Sequence, residues 1–229
     1  MSIALIDGDL IVYRIGFTTE KDSPEIAYIR TEELIRGILD ACEASEYFVC
    51  ISPTGGKTFR HRLYPEYKAN RKEVKKPVHY EALREYLQEA HSASVGEDEE
   101  ADDLLGQYQS EIGPKAILAS TDKDLNQIPG WHYNFVTKLK YHMEPLEAIK
   151  CFYIQLLMGD NSDNIPGIPG IGIAKATQAI DPLKSESAMV ERARAMYGAA
   201  FGPDSESLLQ RNAILLKIRG TNDYLWESK

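Results

Sequence analysis

The feature that most constrains this chain is a short apolar run that ends in acids, and it occurs twice. Residues 3–6 run directly into Asp7, and residues 116–119 lead through Ser120 and Thr121 to Asp122 and Asp124. Short continuous apolar runs bounded by polar residues read as strands buried on both faces. Residues 47–51 and 131–136 read as two further strands. Between them lie apolar residues at helical spacing: Leu34, Ile35, Ile38, Leu39 and Cys42 after Thr31; Leu83, Tyr86, Leu87 and Ala90; Leu104, Leu105, Tyr108 and Ile112. Strands alternating with helices predict an α/β fold, a mainly parallel sheet covered by helices on both faces. Such sheets bind ligands at the carboxyl ends of their strands. Three acids from two strands are therefore expected in one crevice.

From Pro145 the pattern turns helical, with Leu146, Ile149, Tyr153, Leu156 and Leu157 following a proline suited to the first helical position. Strands are expected to stop there. The expected organisation is an α/β domain over residues 1–145 and a helical region over 146–229. No apolar run approaches the roughly 20 residues of a membrane span. The N-terminal apolar stretch meets Asp7 too early for a signal-peptide core. Cys42, Cys50 and Cys151 are odd in number and far apart, which fits no disulfide framework and makes a cytoplasmic setting the default.

The net charge of −9 argues against a general nucleic-acid binder, but the charge is segregated. Residues 57–76 hold eight bases against two acids, and residues 97–103 hold six acids and no base. A basic segment beside an acidic one suits a phosphate substrate and its metal ions. From charge alone, two solvated faces of opposite sign is an equal reading.

GEDEEADDLLG places Glu100, Asp102 and Asp103 in the entry turn of a helix. Glu100 and Asp103, three apart, are expected to face the same way, with Asp102 turned elsewhere. Glu97, Asp98 and Glu99 read as acids favoured by the helix dipole. GDNSDNIPGIPGIGIAKA adds Asp160 and Asp163, although an Asp in a turn commonly bonds its own backbone. Gly167, Gly170 and Gly172 then punctuate a tight turn leading past Lys175 to Ala176, a G-x-G-x-x-x-A pattern that lets backbone N–H groups approach a phosphate. Position 175 is a lysine, which excludes the dinucleotide-binding fingerprint. TGGKT at 54–58 is a decoy: the phosphate-loop pattern needs glycine at 51, which is Ile51. Eight carboxylates thus come within reach of one site: Asp7, Glu100, Asp102, Asp103, Asp122, Asp124, Asp160 and Asp163. Like charges this dense require cations, and an all-oxygen set selects Mg²⁺ or Mn²⁺ over Zn²⁺, two ions in the arrangement used for phosphoryl chemistry.

FRHRLYPEYKANRK, EADDLLG, STDKDL and GDNSDNIPGIPGIG occur together and in order. They resemble the 5′-nucleases, the bacterial and bacteriophage 5′–3′ exonucleases and flap endonucleases, and YKANRKEVKKPV is similar to the short phage enzymes. The resemblance covers roughly residues 3 to 218. It implies a PIN-like α/β domain with a helical arch at about 64–91 and a C-terminal helix–three-turn–helix. It implies that the eight acids bind metal and that Lys68 and Arg71 contact the scissile phosphate. Arg14, the basic residues Lys72, Lys75 and Lys76, and the turn with Gly170, Gly172 and Lys175 are then expected to bind nucleic acid, with K⁺ at the glycine turn. The implied substrate is DNA with 5′ ends, flaps or overhangs, or an RNA–DNA hybrid. The implied protein is a monomer, in the host cytoplasm if of phage origin. One departure stands out. The family usually carries an aspartate at the end of the second strand, and this chain has Pro53, with Asp9 of DGD as a nearby compensating carboxylate. Two rivals remain: a DNA-binding protein with impaired metal occupancy, and a PIN-type ribonuclease.

Overall fold

The computed structural model describes residues 2–55, 58–71 and 74–220. The chain opens with β1 (Ser2–Asp7), α1 (Gly8–Thr18), α2 (Pro24–Cys42), β2 (Ala44–Ile51), α3 (Phe59–Leu63), α4 (Tyr80–His91) and β3 (Ser94–Val95). It continues with α5 (Ala101–Ile112), β4 (Ala116–Ala119), β5 (Gly130–Asn134), β6 (Leu139–Met143) and α6 (Pro145–Met158). The last elements are β7 (Gly159–Asp160), β8 (Ile165–Pro166), α7 (Ile173–Ile180), α8 (Glu186–Phe201) and α9 (Ser205–Leu216).

The six-stranded sheet has the order β3-β2-β1-β4-β5-β6 and is parallel except for β6, which pairs antiparallel with β5 at one edge. β1 and β4 are neighbours, with Ile6 opposite Ala119, so Asp7 and Ser120 leave the sheet side by side. One face packs Ile6, Ile11, Ile35, Ile38 and Leu83 beneath α1, α2 and α4. The other packs Leu5, Leu105 and Leu118 against α5. A separate apolar cluster, including Phe152, Tyr153, Leu156, Tyr197 and Leu209, holds the helices after Pro145 together.

The structure differs from the sequence reading in four places. α1 starts directly after Asp7, because that carboxylate caps it, and α2 starts at Pro24 rather than at Thr31. The strand expected at 131–136 is Gly130–Asn134; Val136 lies beyond it, where its N–H bonds the Asn134 side chain. β3 and β6 lack a recognisable pattern because they are edge strands with mixed exposure. Finally, strands do not stop at Pro145: β7 and β8 form a two-residue antiparallel pair. That pair depends on close backbone approach: a Cβ at Gly159 would lie 2.5 Å from the Ile165 carbonyl oxygen, and one at Gly167, the residue after β8, would lie 2.3 Å from the Gly159 nitrogen. The TGGKT stretch includes Gly56 and Lys57, which lie outside the described residues; Thr58 after them caps only the five-residue α3.

Candidate active site

A cavity of about 440 Å³ opens at the carboxyl ends of β1 and β4. Asp7, Asp9, Glu100, Asp102, Asp122, Asp124 and Asp163 line it, facing Lys68, Arg71 and Lys123.

Asp7 forms the floor, 3% exposed. Its Oδ1 accepts the Leu10 N–H at 3.1 Å and its Oδ2 the Ser120 hydroxyl at 2.8 Å. Burial, reinforced by the charge of Asp9, pushes its carboxyl up to about 7 despite those bonds. Asp102 is raised well above the usual range, by burial and then by Asp7 and Asp122. Asp124 is pushed up to about 7 by burial, then by Asp122 and Asp160. Asp122 accepts the Asp124 N–H at 2.8 Å, a turn bond that aims both side chains from one loop. Carboxylates that hold protons this strongly are poised to exchange them for cations.

The second wall is held by cations. Lys68 donates to Glu100 at 2.7 Å and lies 3.7 Å from Asp163. Arg71 pairs with Asp163 and also donates to the Ser162 carbonyl at 2.9 Å. Lys68 adopts a φ of +54°, and its N–H is tied to the Asp163 carbonyl at 2.9 Å. Burial alone would raise Glu100, but Lys68 and Arg60 bring it down to about 2. Asp163 is raised by burial, an effect that Lys68 and Arg71 only partly offset.

The entry turn of α5 reverses the sequence expectation. Asp102, not Asp103, lines the cavity with Glu100. Asp103 is fully buried and bonded through both oxygens to Arg60. It also accepts the Glu100 N–H at 3.1 Å and the Arg219 N–H at 3.0 Å. The three-residue rule fails because Glu100 is the N-cap, with extended backbone (φ −89°, ψ 168°), so it does not share the helical frame of Asp103. The pair instead forms a capping box. Asp160 also lies outside this cavity, although it neighbours Asp124 in an adjoining cleft. Its Oδ1 accepts the Ser162 N–H at 2.7 Å and the Ser162 hydroxyl. Burial would raise its carboxyl, but these bonds hold it below the usual range.

Of the nucleic-acid candidates, Arg14 is exposed on α1 and does not line the cavity. Lys75 pairs with Glu20 at 2.8 Å, and Lys76 lies 3.9 Å from the centre of the Tyr80 ring. Lys72 is outside the described residues. Gly170 has a φ of +74°, a conformation that favours glycine, whereas Gly172 is extended; neither is crowded. Lys175 donates to the Gly170 carbonyl at 2.9 Å, so K⁺ at that oxygen would have to displace an ammonium.

Sequence reasoning missed three side chains. Tyr67 is 3% exposed and its hydroxyl lies 2.7 Å from Glu100 and 3.0 Å from Asp163, joining the two acids. Arg60 counted only as one charge of a basic segment, yet it is buried and also donates to the Leu215 and Lys217 carbonyls. Arg84, on α4, bonds Asp9 and the Ser52 carbonyl. The partners of Tyr67 and Arg60 lie 33 to 157 residues away, beyond any local pattern.

The donor set is all carboxylate oxygen and fits a hard divalent cation. Among the described residues no three such side chains form a ready-made ligand cage. Glu100, Asp163, Asp103 and Asp160 are instead engaged by Lys68, Arg71, Arg60 and Ser162. Cation binding by any of these four would exchange a partner already in place, with further oxygens drawn from water or phosphate.

The family model for the 5′-3′ exonuclease N-terminal resolvase-like domain matches residues 2–151. A 5′-3′ exonuclease of Buchnera aphidicola (subspecies Schizaphis graminum) is 30% identical over 197 residues, covering 76% of this chain and 68% of the relative. A DNA polymerase I of Bacillus caldotenax is 29% identical over 208 residues, 78% of this chain; the chain spans only 23% of that polymerase. A bacteriophage T5 D15 flap endonuclease variant, solved with DNA and metal ions, superimposes with a TM-score of 0.67 at 22% identity, covering 95% of this chain and 89% of that one. Among the described residues no helix is long and apolar enough to cross a membrane.

Proposed function

The chain belongs to the 5′-3′ exonuclease family, and from that premise we propose that its carboxylate cavity hydrolyses DNA phosphodiesters near 5′ ends, including flaps and overhangs, with Mg²⁺ or Mn²⁺ as cofactor. The protein is a nuclease with a PIN-like α/β fold. The observation that carries the substrate and cofactor reading is the cavity itself. Acids from β1, α5 and the loop after β4 meet across it from Lys68 and Arg71.

Two divalent ions, when bound, activate water and stabilise the leaving oxygen in phosphoryl transfer. Asp7, Asp102, Asp122 and Asp124 would hold them, with Asp160 beside Asp124 in the adjoining cleft. Lys68 and Arg71 hold the non-bridging phosphate oxygens and stabilise the charge that develops there. Tyr67, its hydroxyl bridging Glu100 and Asp163, would steady those two acids while the cations turn from carboxylate to phosphate. Water adds to phosphorus and the bond to the 3′ oxygen breaks, leaving a 5′-phosphate and a 3′-hydroxyl. The glycine turn before α7 contacts duplex phosphates without reading sequence.

End-labelled duplexes with 5′ overhangs, flaps and nicks, incubated with and without Mg²⁺, test the reading. Release of 5′-terminal products only with Mg²⁺ supports it. Tight duplex binding without cleavage would favour the DNA-binding rival, and cleavage confined to RNA would favour the ribonuclease.

A further inference from the structure

Resting on that reading, we propose that Asp9 is a cation-site carboxylate, seated at the end of β2 and aimed by Arg84. Of the seven acids that line the cavity, Asp9 alone lies outside the eight expected from the sequence. Two of those eight, Asp103 and Asp160, lie outside the cavity. Pro53 lines the wall at the end of β2 and brings no carboxylate. Asp9 reaches the same wall from the first turn of α1: its Oδ2 accepts the Ser52 N–H at 3.0 Å.

The hold on Asp9 resembles the support given to metal ligands, whose carboxylates are themselves hydrogen-bonded. Arg84, 4% exposed, donates to its Oδ1 at 3.1 Å and to the Ser52 carbonyl at 2.6 Å. The Ser52 hydroxyl accepts the Ala101 N–H at 3.0 Å, at the start of the helix that carries Asp102. One residue thus ties Asp9 to the turn that presents Asp102. A carboxylate offers about four lone-pair sites, and the protein fills one on each oxygen of Asp9. One site on each oxygen remains, and the side chain keeps 28% of its surface open. The competing reading is an ion pair that only fastens α1 to α4. It explains the bond to Arg84 but not the exposure of the carboxylate in the cavity.

The test is Asp9→Asn in the full chain, with Mn²⁺ binding followed by titration calorimetry in the absence of DNA. Asparagine keeps an acceptor for the Ser52 N–H and removes the charge. At least one Mn²⁺ binding event is expected to weaken by about tenfold or more. The Mg²⁺ needed for half-maximal cleavage should rise similarly, with a smaller loss of rate at saturating Mg²⁺. Wild-type Mn²⁺ affinity and stoichiometry in the variant, with or without a lower Tm in EDTA, would overturn the assignment. If Asp9→Asn does not fold, Arg84→Gln leaves the carboxylate but removes its aim and should weaken the same event; unchanged binding there overturns the proposal equally. A wild-type protein that binds Mn²⁺ but cleaves no DNA would refute the nuclease reading alone, since the calorimetry judges Asp9 independently.

Discussion

Asp7→Asn should make the metal-free protein more stable while abolishing cleavage. The folded protein raises this carboxyl from its ordinary 3.8 to about 7, chiefly by burial. At about 1.4 kcal/mol for each tenfold change in proton affinity, keeping the charge in place costs about 4 kcal/mol. Part of that cost is repulsion shared with Asp9 and Asp122, which can relax, so a gain of about 2 to 4 kcal/mol is expected from neutralising the residue. Asparagine is as good an N-cap as aspartate, so the bond to the Leu10 N–H is kept. The sign with pH follows from the direction of the change. The folded state binds this proton more tightly than the unfolded chain, so the wild type loses stability as pH climbs from about 4 to about 7. The advantage of Asp7→Asn should therefore be small at pH 4 and full at pH 8. For a chain of this length it corresponds to a Tm higher by roughly 5 to 15 °C in EDTA at pH 8. Mg²⁺ should raise the Tm of the wild type and have much less effect on the variant. Thermal melts at both pH values, with and without Mg²⁺, provide the measurement. A variant no more stable than the wild type in EDTA at pH 8 would refute the claim that the cavity floor carries an uncompensated buried charge.

Asp103→Ala should act on folding rather than on the cations. It leaves the buried Arg60 guanidinium with only the longer pair to Glu100 at 3.6 Å and should cost about 3 to 5 kcal/mol in urea unfolding, with Mn²⁺ still bound by the folded fraction. Lys68→Ala should slow cleavage more than it weakens binding, while Lys75→Ala and Lys76→Ala should weaken duplex binding and each reduce its salt slope by about 1. One common profile for all three lysines would refute that division of roles. Gly172→Val should fold normally, because that backbone is extended and open, yet reduce affinity for nicked duplex more than it slows hydrolysis of a short single strand. Unchanged duplex affinity would show that the turn is only structural.

Much of the architecture was legible because it rests on local periodicity. Residues 3–6, 47–51 and 116–119 are apolar in unbroken runs because their strands lie within the sheet, and such runs leave few alternatives. Acids following two of those runs placed Asp7, Asp122 and Asp124 at one end of the sheet, since parallel strands bring their carboxyl ends together. The edge strand β6 was not legible, because an edge strand carries no demand for burial on both faces.

Within the site, sequence determined which acids were available, and tertiary structure decided how each is used. Glu100, Asp102 and Asp103 are almost contiguous, yet Glu100 lines the cavity paired with Lys68, Asp102 lines it beside Asp7 and Asp122, and Asp103 is sealed against Arg60. Whether a carboxylate faces a cavity or a cation depends on the backbone frame at a cap and on partners brought from far along the chain, such as Lys217 to Arg60. For the same reason Asp9, beside Asp7 in sequence, acquires a distinct position only when β2 brings Ser52 and α4 brings Arg84 to its two oxygens. Local pattern encodes burial, but the electrostatics of a site is set by distances between residues that the chain itself keeps far apart.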